Sequence, residues 1–179
     1  MMQLQLNGKT AVLVIDMLED FVNGPLSCPQ ARAIVPHIAQ LLSSARAAGV
    51  PVFYCCDNHT PTDHELTVWP PHAMSGTPGA QIIQELSPAS GDTVVPKHSY
   101  SGFFQTSLQT QLQQRNIRSL ILCGLYTNIC VRHTAADAYL LGYPMQILQS
   151  CVSAFTPQEF EADLTYLQTV YGVQILKDA

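Results

Sequence analysis

Charge is scarce in this chain: only 12% of its 179 residues are Asp, Glu, Lys or Arg, and the formal net charge is -5. With so few cations no basic stripe exists to follow a phosphate backbone, so nucleic acid is not an expected partner. Long apolar runs are missing too. No stretch approaches the ~18 uninterrupted apolar residues of a membrane helix, and the opening MMQLQLNGKT lacks the apolar core of a secretory signal. The expected location is therefore the cytoplasm, with no membrane contact. A C-x-x-C pair is absent as well, and the six cysteines fall in or beside apolar segments rather than on a disulfide framework. Repeats and low-complexity segments do not occur.

What the chain does have is apolar content, 47% of all residues, enough for a core in one domain spanning residues 1–179. The run TAVLVID, residues 10–16, is continuous and apolar until Asp16, the pattern of a strand buried on both faces of a parallel sheet. Residues 31–48 place Ile34, Ile38, Leu41, Leu42 and Ala45 at helical spacing before Gly49, and PVFYCC then reads as a second strand ending at Asp57. Residues 57–79, rich in Pro, His, Thr and Gly, are too long for a simple connector and read as a binding loop.

A short helix over residues 79–86 is expected next, then the strand DTVVP and a loop holding Lys97. A helix from Thr106 to Arg115 and the strand RSLILCG follow. A helix starting near Asn128 carries Val131, Ala135, Ala138 and Leu141 inward, and PMQILQS, a helix from Pro157 and GVQIL complete the order. Strands alternating with helices predict a three-layer α/β/α fold around a mainly parallel, six-stranded sheet. Ligands of such sheets bind beyond the carboxyl ends of the strands, where Asp16, Asp57, Lys97 and the turn from Tyr126 to Cys130 all fall.

Cys130 stands at a loop-to-helix junction, where unpaired N–H groups and the helix dipole favour a thiolate and could receive an oxyanion. A nearby acid can take the thiol proton and return it to a leaving amine, the role open to Asp16. Taken alone, Asp16 is as readily a turn cap. Lys97 could hold such a pair in its ionised form, although a single lysine is more often a surface group. Asp57, His59, His64 and His72 supply N and O donors suited to zinc, iron or manganese, with no zinc-finger spacing among them.

The segments VLVIDMLEDF, DNHTPTDH, WPPHAMSGTPGA, KHSYSGF and GLYTNICVRHTAADA together resemble the isochorismatase-like cysteine hydrolases, nearest their nicotinamidase branch, almost end to end. The resemblance implies an Asp16, Lys97 and Cys130 triad, and a cis peptide at Leu125-Tyr126 that aims the Tyr126 and Cys130 N–H groups at an oxyanion. It also implies a ring pocket of Phe21, Trp69 and Tyr100, and a divalent metal on Asp57, His59 and His72 with His64 a further candidate. No organic cofactor is implied. Two positions depart from the nicotinamidase pattern: Ala73 stands where Cys is common, and Tyr126 where a small Ala is usual.

The expected reaction is thioester-mediated deamidation of a small carboxamide, nicotinamide first. Hydrolysis of an N-carbamoyl amide, a ureide or isochorismate is the alternative, and a non-catalytic binding subunit the more distant one. The family is commonly oligomeric, so a homo-oligomer is expected.

Overall fold

Every apolar run named above forms a strand, and in the computed structural model, which describes residues 4–177, the six strands pair in parallel throughout. They are β1 (Thr10–Ile15), β2 (Val52–Asp57), β3 (Thr93–Lys97), β4 (Ser119–Leu125), β5 (Met145–Ser153) and β6 (Gln174–Leu176), arranged in the order β3-β2-β1-β4-β5-β6. The chain builds outward from β1 on one side, then returns to its other side with β4. The crevice therefore opens at the carboxyl ends of β1 and β4, the point where strand order reverses.

Both faces of the sheet are covered, which is why β1 has no polar face. Val12 and Val14 pack into one core with Ile38, Leu41, Leu42 and Ala45 of a helix, α3 (Val35–Ala47). Ala11, Leu13 and Ile15 face a second core, built on α4 (Leu108–Gln114), α5 (Arg132–Leu140) and α6 (Pro157–Tyr171). Two short helices, α1 (Glu19–Val22) and α2 (Pro29–Ala33), link β1 to α3. At Gly124 the β1 backbone around Ile15 lies so close that a Cβ would collide with it, and φ is +111°. That close approach brings the ends of β1 and β4 together.

Four local expectations need correction. Leu141, expected to face inward, is exposed, because α5 ends at Leu140 and Leu141 caps it. The helix predicted over residues 31–48 is two helices, because Pro36 in the first turn of α3 has no N–H with which to continue α2. Residues 79–86 are not one helix but two single 3₁₀ turns, Pro78–Ala80 and Gln84–Leu86. Lys97 closes β3 rather than lying in a loop, and is paired in register with Asp57 of β2. Among the described residues no helix is long and apolar enough to cross a membrane.

Candidate active site

Asp16 follows β1 with φ at 52°, a conformation that turns its carboxylate back over the strand ends. There Oδ1 accepts the Asp57 backbone N–H (2.8 Å) and Oδ2 lies 2.8 Å from Lys97 Nζ. The same ammonium is 2.5 Å from Asp57 Oδ1 and donates to the Ser99 carbonyl at 3.1 Å. Lys97 and Asp57 are fully buried and Asp16 is 1% exposed, so this is a dry cluster of two acids and one base.

Burial first, and Asp57 second, push the Asp16 carboxyl up to about 6 against the pull of Lys97. Burial acts on Asp57 in the same direction, but Lys97 and His59 outweigh it and hold that acid below its ordinary value. Despite burial, the two carboxylates raise Lys97 well above the usual lysine range.

Cys130 enters from β4. A π-helical turn, Thr127–Val131, carries it directly into α5, and the Leu125-Tyr126 peptide before that turn is cis. Its sulfur and one carboxylate oxygen each from Asp16 and Asp57 lie within 4.8 Å of one another. Burial raises the thiol well above its normal value, with Lys97 opposing and the two acids adding to the rise. Burial thus favours the neutral thiol, and the sulfur lies beside the carboxylates of Asp16 and Asp57.

A second cluster shares Asp57. Its Oδ2 lies 3.7 Å from His59 Nε2 and 4.0 Å from His72 Nε2, and Glu65 Oε1 lies 3.6 Å from His72 Nε2. Each imidazole is aimed by its other nitrogen, His59 Nδ1 on Asp63 Oδ2 (3.0 Å) and His72 Nδ1 on the Pro70 carbonyl (2.8 Å). Burial opposes charging of His59, yet Asp57 and the neighbouring acids push it up to about 9. Asp57 Oδ2, His59 Nε2 and Glu65 Oε2 are buried with no hydrogen-bond partner, a combination that stable proteins avoid unless something else satisfies those atoms. Ligands about 2.1 Å from a tetrahedral ion sit about 3.4 Å apart, slightly closer than these separations. The donor set fits a divalent metal.

His64 is not part of this cluster. It is exposed, and Glu65 is the buried residue beside it. Both lie in a 3₁₀ turn, His64–Thr67, where adjacent side chains point about 120° apart, so only one of the two can face inward. The signal that would have found Glu65 is the acid next to the loop histidine.

The two clusters open onto one narrow pocket. Phe21, Trp69, Phe155, Leu26 and Ile129 wall it, with Cys130, Asp57, Glu65 and His72 among them. Phe21 and Trp69 are therefore where the sequence pointed, whereas Leu26, Ile129 and Phe155 were missed. Tyr100 does not line the pocket. Its hydroxyl accepts the Trp69 indole N–H at 3.0 Å, so it supports Trp69 from behind.

Residues 10–178 match the Isochorismatase domain family. The chain belongs to that family. Nicotinamidase 3 of Arabidopsis thaliana is 32% identical over 174 residues, 94% of this chain and 84% of that relative. Among solved structures, the N-carbamoylsarcosine amidase of Thermoplasma acidophilum superposes with a TM-score of 0.90 at 37% identity, covering 94% of this chain and 96% of that one. The Pyrococcus horikoshii pyrazinamidase, solved in complex with zinc, gives a TM-score of 0.86 at 26% identity over 95% and 99% of the two chains. This isochorismatase-family protein is thus a hydrolase whose relatives differ in the molecule they cleave.

Proposed function

We propose that the protein deamidates a small planar carboxamide, nicotinamide first, releasing the carboxylate and ammonia. The observation that carries this reading is that the Cys130 thiol and the Asp57, Glu65 and His72 donors open onto the same aromatic-walled pocket. A ring held between Phe21, Trp69 and Phe155 would direct one end toward the donors and its amide toward sulfur.

Asp16 takes the Cys130 proton as sulfur attacks the carboxamide carbon, and the Lys97 ammonium steadies the negative charge as it shifts from Asp16 toward sulfur and back again. The oxyanion is received by backbone N–H groups at the turn, those of Tyr126 and Cys130. The intermediate collapses as Asp16 returns its proton to nitrogen, the C–N bond breaks, and ammonia leaves. Water, deprotonated by Asp16, then cleaves the thioester to the acid and restores the thiol. Asp57, His59, Glu65 and His72 would hold a divalent ion, of which zinc, iron and manganese all suit N and O donors. When bound, that ion supplies a Lewis-acid contact for a ring nitrogen.

The test is ammonia release from nicotinamide by protein purified without added metal, before and after chelation and zinc readdition. Turnover that falls on chelation and returns with zinc supports the reading; absence of turnover in the zinc-restored protein rejects it. Similarity to an N-carbamoylsarcosine amidase favours an N-carbamoyl amide as the second reading. Turnover of such a compound, with nicotinamide left intact, would select it.

A further inference from the structure

Three pocket walls, Phe21, Leu26 and Phe155, come from two segments that share no strand: α1 with the turn after it, and the link between β5 and α6. One residue behind the pocket touches all three. Tyr126 is 3% exposed and does not line the cavity itself. Its ring stacks on Phe155, with centroids 3.9 Å apart and planes at 27°, and meets the edge of Phe21 at 6.3 Å. The hydroxyl donates to the Leu26 carbonyl (2.5 Å), with the Phe21 carbonyl at 3.1 Å as the second acceptor.

A phenol held at both ends is a rigid backing. The hydroxyl contacts fix the ring in its own plane, and the ring face then denies Phe155 any space to retreat. Close-packed interiors transmit such a constraint directly, whereas removing the ring would leave a void into which Phe155 could fall.

From these contacts we infer that Tyr126 is a positioning residue that determines specificity: by backing Phe155 and tying α1 to the opposite wall, it fixes the pocket width. The thiol therefore receives unsubstituted planar amides and refuses those that carry a further ring substituent. The choice of amides rests on the deamidase reading above; the control of width does not.

Two readouts separate the inference from that reading. In the first, Cys130 of the zinc-loaded protein is alkylated with iodoacetamide and, separately, with N-benzyliodoacetamide, and labelling at each cysteine is followed by mass spectrometry. In both reactions an S–C bond forms, the C–I bond breaks, iodide departs and the thiol proton leaves to solvent. The native protein should favour the small reagent at Cys130, and Tyr126→Ala should shrink that preference by about tenfold. Tyr126→Phe, which keeps the ring stacked on Phe155 but loses the hydroxyl tie to α1, should change it by an intermediate amount, about threefold.

In the second readout, nicotinamides bearing one methyl at each ring carbon in turn are compared with nicotinamide by kcat/KM. At least one isomer should be rejected by the native protein and regain about tenfold in Tyr126→Ala relative to nicotinamide. Should Tyr126→Ala not fold, Tyr126→Leu removes the stacking face while keeping most of the volume.

An unchanged alkylation preference in the folded variant overturns the inference, and so does a rise in labelling at Cys55, Cys56, Cys123 and Cys151 that accompanies the gain at Cys130, since that is general loosening. If no amide is turned over but the alkylation preference shifts as expected, the deamidase reading falls and the role of Tyr126 stands. If nicotinamide is turned over and neither ratio moves, the reverse holds.

Discussion

The pocket has two halves built in different ways. Asp16 and Lys97 stand directly after and at strand ends, where the parallel sheet sets their spacing, and the buried Cys130 follows β4 on a helical turn. His59, Glu65 and His72 ride on the long excursion between β2 and β3, whose path is set by 3₁₀ turns and side-chain contacts such as Asp63 on His59. Asp57 belongs to both, with one oxygen on Lys97 and the other facing the imidazoles. The sheet supplies positions held by ladder hydrogen bonds, and the loop supplies donors whose aim depends on a few local hydrogen bonds. Changes on the strand side should therefore cost more than changes on the loop side.

The largest difference is expected at Cys130. With the nucleophile removed, Cys130→Ala should lose roughly 10⁴-fold or more in deamidation rate, and mass spectrometry of the substrate-quenched native protein should show an acyl adduct absent from the variant. A variant that keeps a tenth of the native rate would take the chemistry away from the strand half altogether. Lys97 comes next. Lys97→Met leaves Asp16 and Asp57 facing each other in the dry interior, and breaking a buried ion pair on one side costs about 3–5 kcal/mol. Urea unfolding measures this directly, and a loss smaller than that caused by Trp69→Ala would erase the distinction between the halves.

On the loop side the effects should be graded. Asp63→Ala frees the His59 ring from its orienting carboxylate and should weaken zinc binding roughly 10- to 100-fold, as loss of outer-shell partners does, with Glu65→Gln at least as severe. His64→Ala, one residue from Glu65 but exposed, should leave zinc affinity unchanged. Competition with a chromophoric chelator reads all three, and a His64→Ala protein as weak as Glu65→Gln would mean that the turn presents its other face.

The same contrast explains what the sequence disclosed. The placement of Asp16 and Asp57 was legible because an apolar run ending in a charge marks a strand end, and parallel topology sends those ends to one edge; Lys97 was read one step beyond its strand because Pro96 reads as the close of that run. The break at Pro36 was also readable, since a proline inside a helical pattern removes an N–H, but the apolar spacing across it is unbroken and masks the stop. Glu65 was hidden because facing in a 3₁₀ turn follows the path of the loop, which has no period to read. Leu26, Ile129 and Phe155 were hidden for a different reason: they line the pocket only because separate links meet there. Tyr100 shows the converse, an aromatic at a plausible position that the fold uses to hold Trp69.

The smallest expected effect concerns how the strand half is propped from below. Asp163 of α6 is 3% exposed and sits 3.3 Å from Arg132 at the start of α5, beneath the turn that carries Cys130. Its Oδ2 has no hydrogen-bond partner, and burial, with Arg132, Thr127 and His133 opposing, pushes the carboxyl up to about 6 from an ordinary 3.8. A carboxyl raised in this way is protonated in the folded chain where the unfolded chain has already ionised. As pH climbs from about 4 to about 6 the unfolded state alone loses its proton, so the contribution of Asp163 falls through that window and levels off above it. Asp163→Asn, neutral at every pH, lacks that decline. Its stability relative to the native protein should therefore rise by on the order of 1–2 kcal/mol between pH 4 and pH 6.5, measured by urea unfolding at each pH. A difference that stays flat across the window would mean that Arg132 keeps Asp163 ionised, making this contact an ordinary ion pair and the support under Cys130 no different in kind from the hydrogen bonds that hold the loop.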